Sequence, residues 1–151
     1  MATTYLIDSN ILVYSYDIDS PYYEKSMELM ETRVLKGEIN ACIAHQSLYE
    51  FYAVITDPKR VRAPLEQNKA MEIIELFQNA VNLKKIFSLS TTLNTTMKLL
   101  KKYPVLKQNI FDLILVATML DNGIKGVYTA NEIHFKPFDF LEVINPLKGI
   151  S

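Results

Sequence analysis

Short apolar segments typical of strands alternate along this chain with longer segments typical of helices. The predicted strands are residues 4–7, 40–44, 86–89, 126–129 and 141–144. The predicted helices run from an Asp8-Ser9-Asn10 cap to about residue 16, and over residues 20–37, 46–55, 64 or 65 to 81, 91–103 and 110–122. Alternation of this kind predicts an α/β domain with a mostly parallel sheet.

Local signals mark the ends of several of these helices. Ser20 is a candidate N-cap with Pro21 at the first helical position, and Gly37 is a candidate C-cap. Asp57-Pro58 should end the helix that begins at residue 46, and Asn122-Gly123 the helix that begins at residue 110.

The length, composition and charge of the chain favour a single globular domain. With 151 residues, 49% of them apolar, residues 1–151 should form a single domain with a real core. The net charge of −1 gives no overall support to nucleic-acid binding, so any such site must be a local patch. Cys42, the only cysteine, excludes internal disulfides and fits a reducing compartment. Without a signal peptide or an apolar run of about 20 residues, a cytoplasmic protein with no membrane contact is expected.

Three carboxylates lie inside apolar segments, which is unusual for acidic side chains. They are Asp8, Glu50 and Asp112. Acidic groups are rarely buried unless something pairs with them, and three of them together would repel one another and resist ionisation. A divalent cation would reverse this penalty, so the sequence suggests an acidic metal cluster.

The predicted elements place these carboxylates near one another. Asp8 follows the first strand, at the edge where open α/β sheets have their ligand crevice. Asp112 opens a helix whose N-terminus would point into that crevice, and Glu50 lies in the middle of a helix. We expect the three side chains to face the same opening.

The order of these motifs resembles the PIN-domain ribonucleases, in particular the VapC-like toxins of toxin–antitoxin pairs. The matching segments are Asp8-Ser9-Asn10, Glu50-Phe51, Thr56–Val61, Phe111–Thr118, Thr129–Phe135 and Leu141–Pro146. Each motif alone is weak, but their order and spacing match over the whole chain.

The resemblance implies a fold, an activity and partners. The fold would be an α/β/α sandwich around a central parallel sheet, and many members are homodimers. The activity would be metal-dependent endonucleolytic cleavage of RNA, single-stranded or structured. A small antitoxin protein would insert a peptide into the acidic groove and often present an arginine to the carboxylates.

The candidate site follows from these motifs. Asp8, Glu50 and Asp112 would hold Mg²⁺ or Mn²⁺, with Glu50 helping to orient the attacking water. Asn131 would complete the catalytic set at a position that is often Asp in the family. The amide lacks a charge, so one bound ion is better supported than two. Supporting contacts are expected from Ser9, Asn10 and Thr129.

Each of these residues also has a purely structural interpretation. Taken alone, Asp8 and Asp112 could be N-caps, Glu50 a solvated helix residue and Asn131 a turn former. Lys59, Arg60 and Arg62 could contact RNA phosphates or simply form a solvated loop.

Other aromatic and imidazole side chains are weaker candidates. Base stacking is one interpretation of four tyrosines, although core or dimer-interface packing is commoner for such residues. They are Tyr14, Tyr16, Tyr49 and Tyr52. His45 and His134 are interpreted as structural, with a role near the substrate as the alternative for His134.

Two other functions compete with the ribonuclease. A non-catalytic PIN-like domain that binds RNA or protein is compatible with Asn131. A phosphotransfer domain of the receiver type is compatible with Asp8 after the first strand, but the chain lacks the paired acidic residues and the later lysine of a receiver.

Overall fold

The computed structural model describes residues 2–105, 107 and 109–149. The strands are β1 (Tyr5–Ile7), β2 (Ala41–Ala44), β3 (Leu83–Ile86), β4 (Gly126–Tyr128) and β5 (Glu142–Ile144). The helices are α1 (Ser9–Tyr14), α2 (Tyr23–Glu28), α3 (His45–Ile55), α4 (Gln67–Asn79), α5 (Thr92–Lys102), α6 (Asn109–Asp121) and α7 (Glu132–Phe135). A π-helical stretch, Leu29–Val34, continues α2.

The strands form one parallel sheet in the order β3-β2-β1-β4-β5. Strand β2, which follows β1 in the chain, pairs with one edge of β1, and β4 pairs with the opposite edge of β1. The strand order therefore reverses at β1, and a crevice opens beyond its carboxyl end. The predicted parallel α/β sheet is confirmed.

Helices cover both faces of this sheet because side chains alternate along each strand. In β1, Ile7 belongs to a buried cluster with Phe51 of α3, whereas Leu6 belongs to a second cluster with Val116 of α6. The two clusters lie on opposite faces of the sheet. The predicted α/β/α sandwich is therefore confirmed.

The helix predicted for residues 20–37 is shorter and less regular in the structure. It begins at Tyr23, because the Ser20 hydroxyl accepts a hydrogen bond from the backbone N–H of Tyr22 in a turn before the helix. Past Glu28 the backbone becomes π-helical, and the N–H of Leu35 donates to the carbonyl of Met30 five residues earlier.

The third strand lies three residues earlier than predicted. Residues 83–86 form β3, with Leu83 paired to Ala41 and Ile86 to Ala44. Leu83 and Ile86 are buried, whereas the intervening Lys84 is exposed. Lysines are common in edge strands. Here two lysines interrupt the apolar pattern, so the sequence did not indicate a strand at this segment.

A short helix, α7, follows β4 where the sequence indicated only a turn. Across the described part of the chain, no helix combines the length and apolar character needed to cross a membrane.

Candidate active site

A groove of about 1120 Å³ opens at the carboxyl edge of the sheet. All four predicted catalytic residues line it, although they come from four separate segments of the chain. They are Asp8, Glu50, Asp112 and Asn131. The predicted convergence of these side chains on one opening is what the structure displays.

Asp8 is fixed between the end of β1 and the start of α1. It is the N-cap of α1, and only 7% of the residue is exposed. Its Oδ1 accepts a hydrogen bond from the Ser9 backbone N–H at 2.8 Å. Its Oδ2 accepts from Thr129 Oγ1 at 2.8 Å and from Asn10 Nδ2 at 3.1 Å. Asp8 is therefore both a cap and a buried acid in the groove.

The surroundings of Asp8 oppose its ionisation. The pKa of its carboxyl is raised from the ordinary 3.8 to about 6. Burial is the largest cause, and the hydrogen bonds from Thr129 and Ser9 only partly offset it. The negative charges of Glu50 and Asp112 make smaller contributions to the increase. A cation in the groove would favour the charged form.

Glu50 is linked to Asp8 through Ser9. Glu50 Oε2 accepts a hydrogen bond from Ser9 Oγ at 2.8 Å, while the Ser9 N–H donates to Asp8. Gln46, one turn earlier on α3, donates to Glu50 Oε1 at 3.0 Å and to the Phe111 carbonyl at 3.0 Å. These contacts hold the Glu50 side chain at the groove and rule out a freely solvated helix residue.

Asp112 lies in the first turn of α6, three residues after the helix begins at Asn109. It is therefore not an N-cap, which was one interpretation of the sequence. Its Oδ2 lies 3.1 Å from His134 Nδ1 of α7. His134, interpreted from the sequence as structural, is thus in direct contact with a candidate site residue.

Residues 129–131, which follow β4, lie beside Asp8 at the groove. The buried hydroxyl of Thr129 donates to Asp8 and accepts a hydrogen bond from the Asn131 N–H at 2.9 Å. Asn10 Oδ1 accepts from the Ala130 N–H at 3.1 Å. Asn131 precedes α7, but its side chain makes no capping hydrogen bond.

The donors in the groove suit a hard divalent cation. Carboxylate and amide oxygens are the ligands that Mg²⁺ and Mn²⁺ accept. In the described residues, however, no three His, Cys, Asp or Glu side chains are close enough to hold one ion. Asp112 is paired with His134, and Glu50 is hydrogen-bonded to the Ser9 hydroxyl. The donor chemistry fits the ion, and the carboxylates would have to approach one another to bind it.

The basic segment after α3 contributes one side chain to the groove. Arg60 is exposed and lines it. Lys59 and Arg62 are also exposed but are not among the lining residues.

The four candidate tyrosines differ in their surroundings. Tyr14, Tyr16 and Tyr52 pack against the buried cluster under α3, as core tyrosines do, and Tyr14 also lines the groove. Tyr49 is 75% exposed and lines the groove.

Several groove residues were not singled out from the sequence. Gln46 could have been found from its four-residue spacing to Glu50 on one helix face. Phe87 lines the groove just after β3, but the sequence placed it inside a strand. Phe111 had no signal of its own beside Asp112.

Comparisons with known proteins agree with this architecture. A family model described as "PIN domain" matches residues 5–141. The chain is 24% identical to Ribonuclease VapC24 of Mycobacterium tuberculosis H37Rv over 150 residues, which cover 93% of this chain and 95% of that protein.

Solved structures share the fold at low sequence identity. The M. tuberculosis VapC20 structure, described as a sarcin-ricin loop cleaving toxin, has a TM-score of 0.65 and 10% identity, covering 90% of this chain and 95% of that one. VapBC2 from Rickettsia felis, bound to a promoter DNA fragment, has a TM-score of 0.62 and 18% identity, with 95% and 98% covered. VapBC-1 from nontypeable Haemophilus influenzae has a TM-score of 0.60 and 18% identity, with 97% and 100% covered. Since the family model spans most of its length, this chain belongs to the PIN domain family.

Proposed function

We propose that this protein is a metal-dependent endoribonuclease and the toxin of a toxin–antitoxin pair. The observation that carries the proposal is the convergence of Asp8, Glu50 and Asp112 on one groove at the switch point of a PIN-domain sheet. The relative named Ribonuclease VapC24 supports the same activity.

Asp8, Glu50 and Asp112 would hold Mg²⁺ or Mn²⁺ in the groove. The bound ion would relieve charge on the phosphoryl oxygens and lower the pKa of an attacking water. Because Asn131 supplies an uncharged oxygen where the family often has Asp, one ion is favoured over two.

Other residues of the groove would orient the metal ligands, orient the attacking water and stabilise the charge of the phosphate. Ser9, Asn10 and Thr129 keep the Asp8 carboxylate in one orientation through their hydrogen bonds. Glu50, held by Ser9 and Gln46, would orient the attacking water. The N-terminal end of α6, where Asp112 lies, adds partial positive charge near the scissile phosphate.

The substrate is proposed to be RNA, single-stranded or structured. Arg60 at the groove would contact a phosphate, and the flanking Lys59 and Arg62 would add longer-range attraction. The family resemblance is the basis for including both classes, and one structural neighbour is described as a sarcin-ricin loop cleaving toxin.

Partners are proposed from the same comparisons. One structural neighbour is described as a toxin–antitoxin complex from Klebsiella pneumoniae, and an antitoxin arginine would find carboxylates at the groove of this chain. A homodimer in the cytoplasm is proposed on the family resemblance.

The decisive experiment is RNA cleavage by the purified protein with Mg²⁺, with Mn²⁺ and with chelator. Wild type should cut labelled single-stranded RNA only with metal, and Asp8→Asn and Asp112→Asn should each lower the rate by at least about 100-fold. Asp19→Asn is a matched control, since Asp19 is exposed and is not among the groove-lining residues. Equal rates for Asp8→Asn and wild type would contradict the proposal.

A non-catalytic PIN-like binding domain is the second candidate. It is favoured by Asn131 and by the separation of the carboxylates in the described residues. RNA binding without cleavage under either metal would support it over the nuclease.

A further inference from the structure

Two aromatic rings stack at the edge of the groove. The His45 and Phe87 ring centroids are 5.3 Å apart, and the ring planes differ by 28°. Both rings line the same groove as the carboxylates. The groove proposed to bind RNA therefore contains two stacked, nearly parallel rings.

The sheet register brings these two residues together. Ala44, the last residue of β2, pairs with Ile86, the last residue of β3. His45 and Phe87 therefore leave neighbouring strands at the same level. Asp8 leaves β1, the strand beside β2, at the same edge. The carboxyl edge of one sheet thus positions both the stacked rings and the buried Asp8 carboxyl.

Two further aromatic side chains extend this surface. Tyr49 lies one helical turn after His45 on α3 and is 75% exposed. Phe111 precedes Asp112 and is also exposed, and its carbonyl is bound to Gln46 of α3. We call His45, Tyr49, Phe87 and Phe111 the aromatic patch.

The exposure of the aromatic patch points to a ligand. Phe87 is 52% exposed, and the other patch phenylalanine and the tyrosine are exposed to a similar or larger extent. Single exposed aromatics are common, but a group of them that lines one groove marks an interaction surface. Folding alone does not require these rings to remain in contact with water.

The charges in the groove favour a nucleobase as the occupant. Among the described lining residues, four carboxylates face one guanidinium, that of Arg60. The carboxylates are Asp8, Asp17, Glu50 and Asp112. Such a groove attracts a phosphate backbone only weakly, so contacts with the bases must supply much of the affinity. Every base presents a flat face that stacks on aromatic rings, and a duplex hides those faces.

We propose that the aromatic patch is a binding subsite for an unpaired nucleobase next to the phosphate that the carboxylates act on. This inference rests on the proposed ribonuclease function. It makes the protein selective for unpaired over paired RNA, with Phe87 as the main stacking residue.

Stacking can be measured without cleavage. A single-stranded RNA carrying 2-aminopurine is titrated with the full-length protein in chelator and low salt, and quenching and anisotropy are recorded. We expect wild type to quench the base, Phe87→Ala to weaken binding by about 10-fold or more, and Phe87→Trp to restore it. A fully paired RNA should be bound equally by wild type and Phe87→Ala.

Two controls test whether the effect is aromatic and local. Phe87→Leu keeps an apolar side chain without a ring and should behave like Phe87→Ala. Leu93→Ala removes a 70% exposed apolar side chain from α5, outside the groove, and should behave like wild type. Circular dichroism of each variant reports on folding.

The outcomes separate this inference from the proposed function. If wild type cuts RNA but Phe87→Ala has the same KM and the same quenching, the subsite is wrong and the nuclease stands. If wild type quenches the base and Phe87→Ala does not, the subsite holds even if no metal supports cleavage. Absence of quenching by wild type overturns the inference.

Discussion

At the scale of single residues, the buried carboxyl of Asp8 in the candidate site opposes stability at neutral pH. Its folded-state pKa of about 6 lies above the ordinary 3.8, so the folded protein holds this proton more tightly than the unfolded chain does. The contribution of Asp8 to stability is therefore fully present below about pH 4 and is lost as the pH rises through about 6. At neutral pH the ionised, buried carboxylate destabilises the metal-free protein.

Asp8→Asn should therefore stabilise the metal-free protein at pH 7.5. A rise of two pKa units corresponds to about 3 kcal/mol. The amide loses part of this, because its single oxygen cannot accept both from Thr129 and Asn10, which bond Oδ2, and from the Ser9 N–H, which bonds Oδ1. We expect a gain of about 1 kcal/mol in the free energy of unfolding at pH 7.5, which disappears or reverses near pH 4. Urea denaturation in chelator at a series of pH values measures this.

The same titrations of Asp19→Asn provide the control, because Asp19 is exposed and its substitution should change stability little at any pH. A constant difference between Asp8→Asn and wild type from pH 4 to pH 7.5 would show that burial of the charge is not the cause.

The carboxylates of the candidate site and the supporting residues Ser9, Asn10 and Thr129 could be predicted from the sequence, whereas the contact between His134 and Asp112 could not. An acid inside an apolar segment is visible in the sequence at Asp8 and Asp112. The contact between His134 and Asp112 joins α7 to α6, and nothing in either segment encodes the 3.1 Å approach. Phe87 was hidden for a related reason, since its exposure depends on where β3 ends.

At the scale of elements, the Tyr5 ring of β1 lies against the backbone of β4 because Gly126 has no side chain. A Cβ at this position would lie 2.6 Å from Cδ1 and 2.7 Å from Cε1 of the Tyr5 ring. That ring is held in place, since it packs on Tyr128 and its hydroxyl donates to Glu142 at 2.6 Å. A glycine inside a strand often marks such a close approach.

Gly126→Ala should therefore destabilise the protein by about 1–3 kcal/mol, because the Tyr5 ring or the strand must shift. Tyr5→Ala removes the ring, so the alanine at position 126 should cost less in the double variant than in the single one. Denaturant unfolding of wild type, both single variants and the double variant gives the coupling free energy. Additive effects would show that the ring is not the obstacle.

The elements differ in how well the sequence specifies them. Helix α3 was predicted to within a residue, because apolar residues and the Asp57-Pro58 stop define it locally. Strand β3 was displaced by three residues, because the lysines of an edge strand break the apolar pattern. The π-helical turn after α2 depends on a hydrogen bond between Leu35 and Met30 that no local propensity indicates.

At the scale of the whole molecule, sheet topology assembles the site. Residues 8, 50 and 112 are distant in sequence, and the reversal of strand order at β1 brings them to one groove. This much followed from the switch-point rule. The separation of the three carboxylates depends on side-chain contacts and could not be predicted from the order of elements.

Because a cation would bind only the folded groove, divalent metal should raise the melting temperature of wild type. At a metal concentration 100 times the Kd the stabilisation is about 2.7 kcal/mol, or roughly 5–10 °C for a domain of this size. Asp8→Asn and Asp112→Asn should lose most of this increase, whereas Asp19→Asn should keep it. Thermal scans with Mn²⁺, Mg²⁺ and chelator at pH 7.5 measure the change.

The pH dependence of the metal effect separates a site from general ion binding. Below the pKa of about 6, a proton on the Asp8 carboxyl competes with the cation for that group. The metal-induced increase in melting temperature should therefore be smaller at pH 5 than at pH 7.5. In Asp8→Asn this particular dependence is absent, and whatever metal effect remains should change less between pH 7.5 and pH 5. An increase in melting temperature of the same size in wild type and Asp8→Asn at both pH values would mean that the metal binds outside the groove. Such a result would favour the non-catalytic binding domain over the nuclease, because the three carboxylates would not be a metal site.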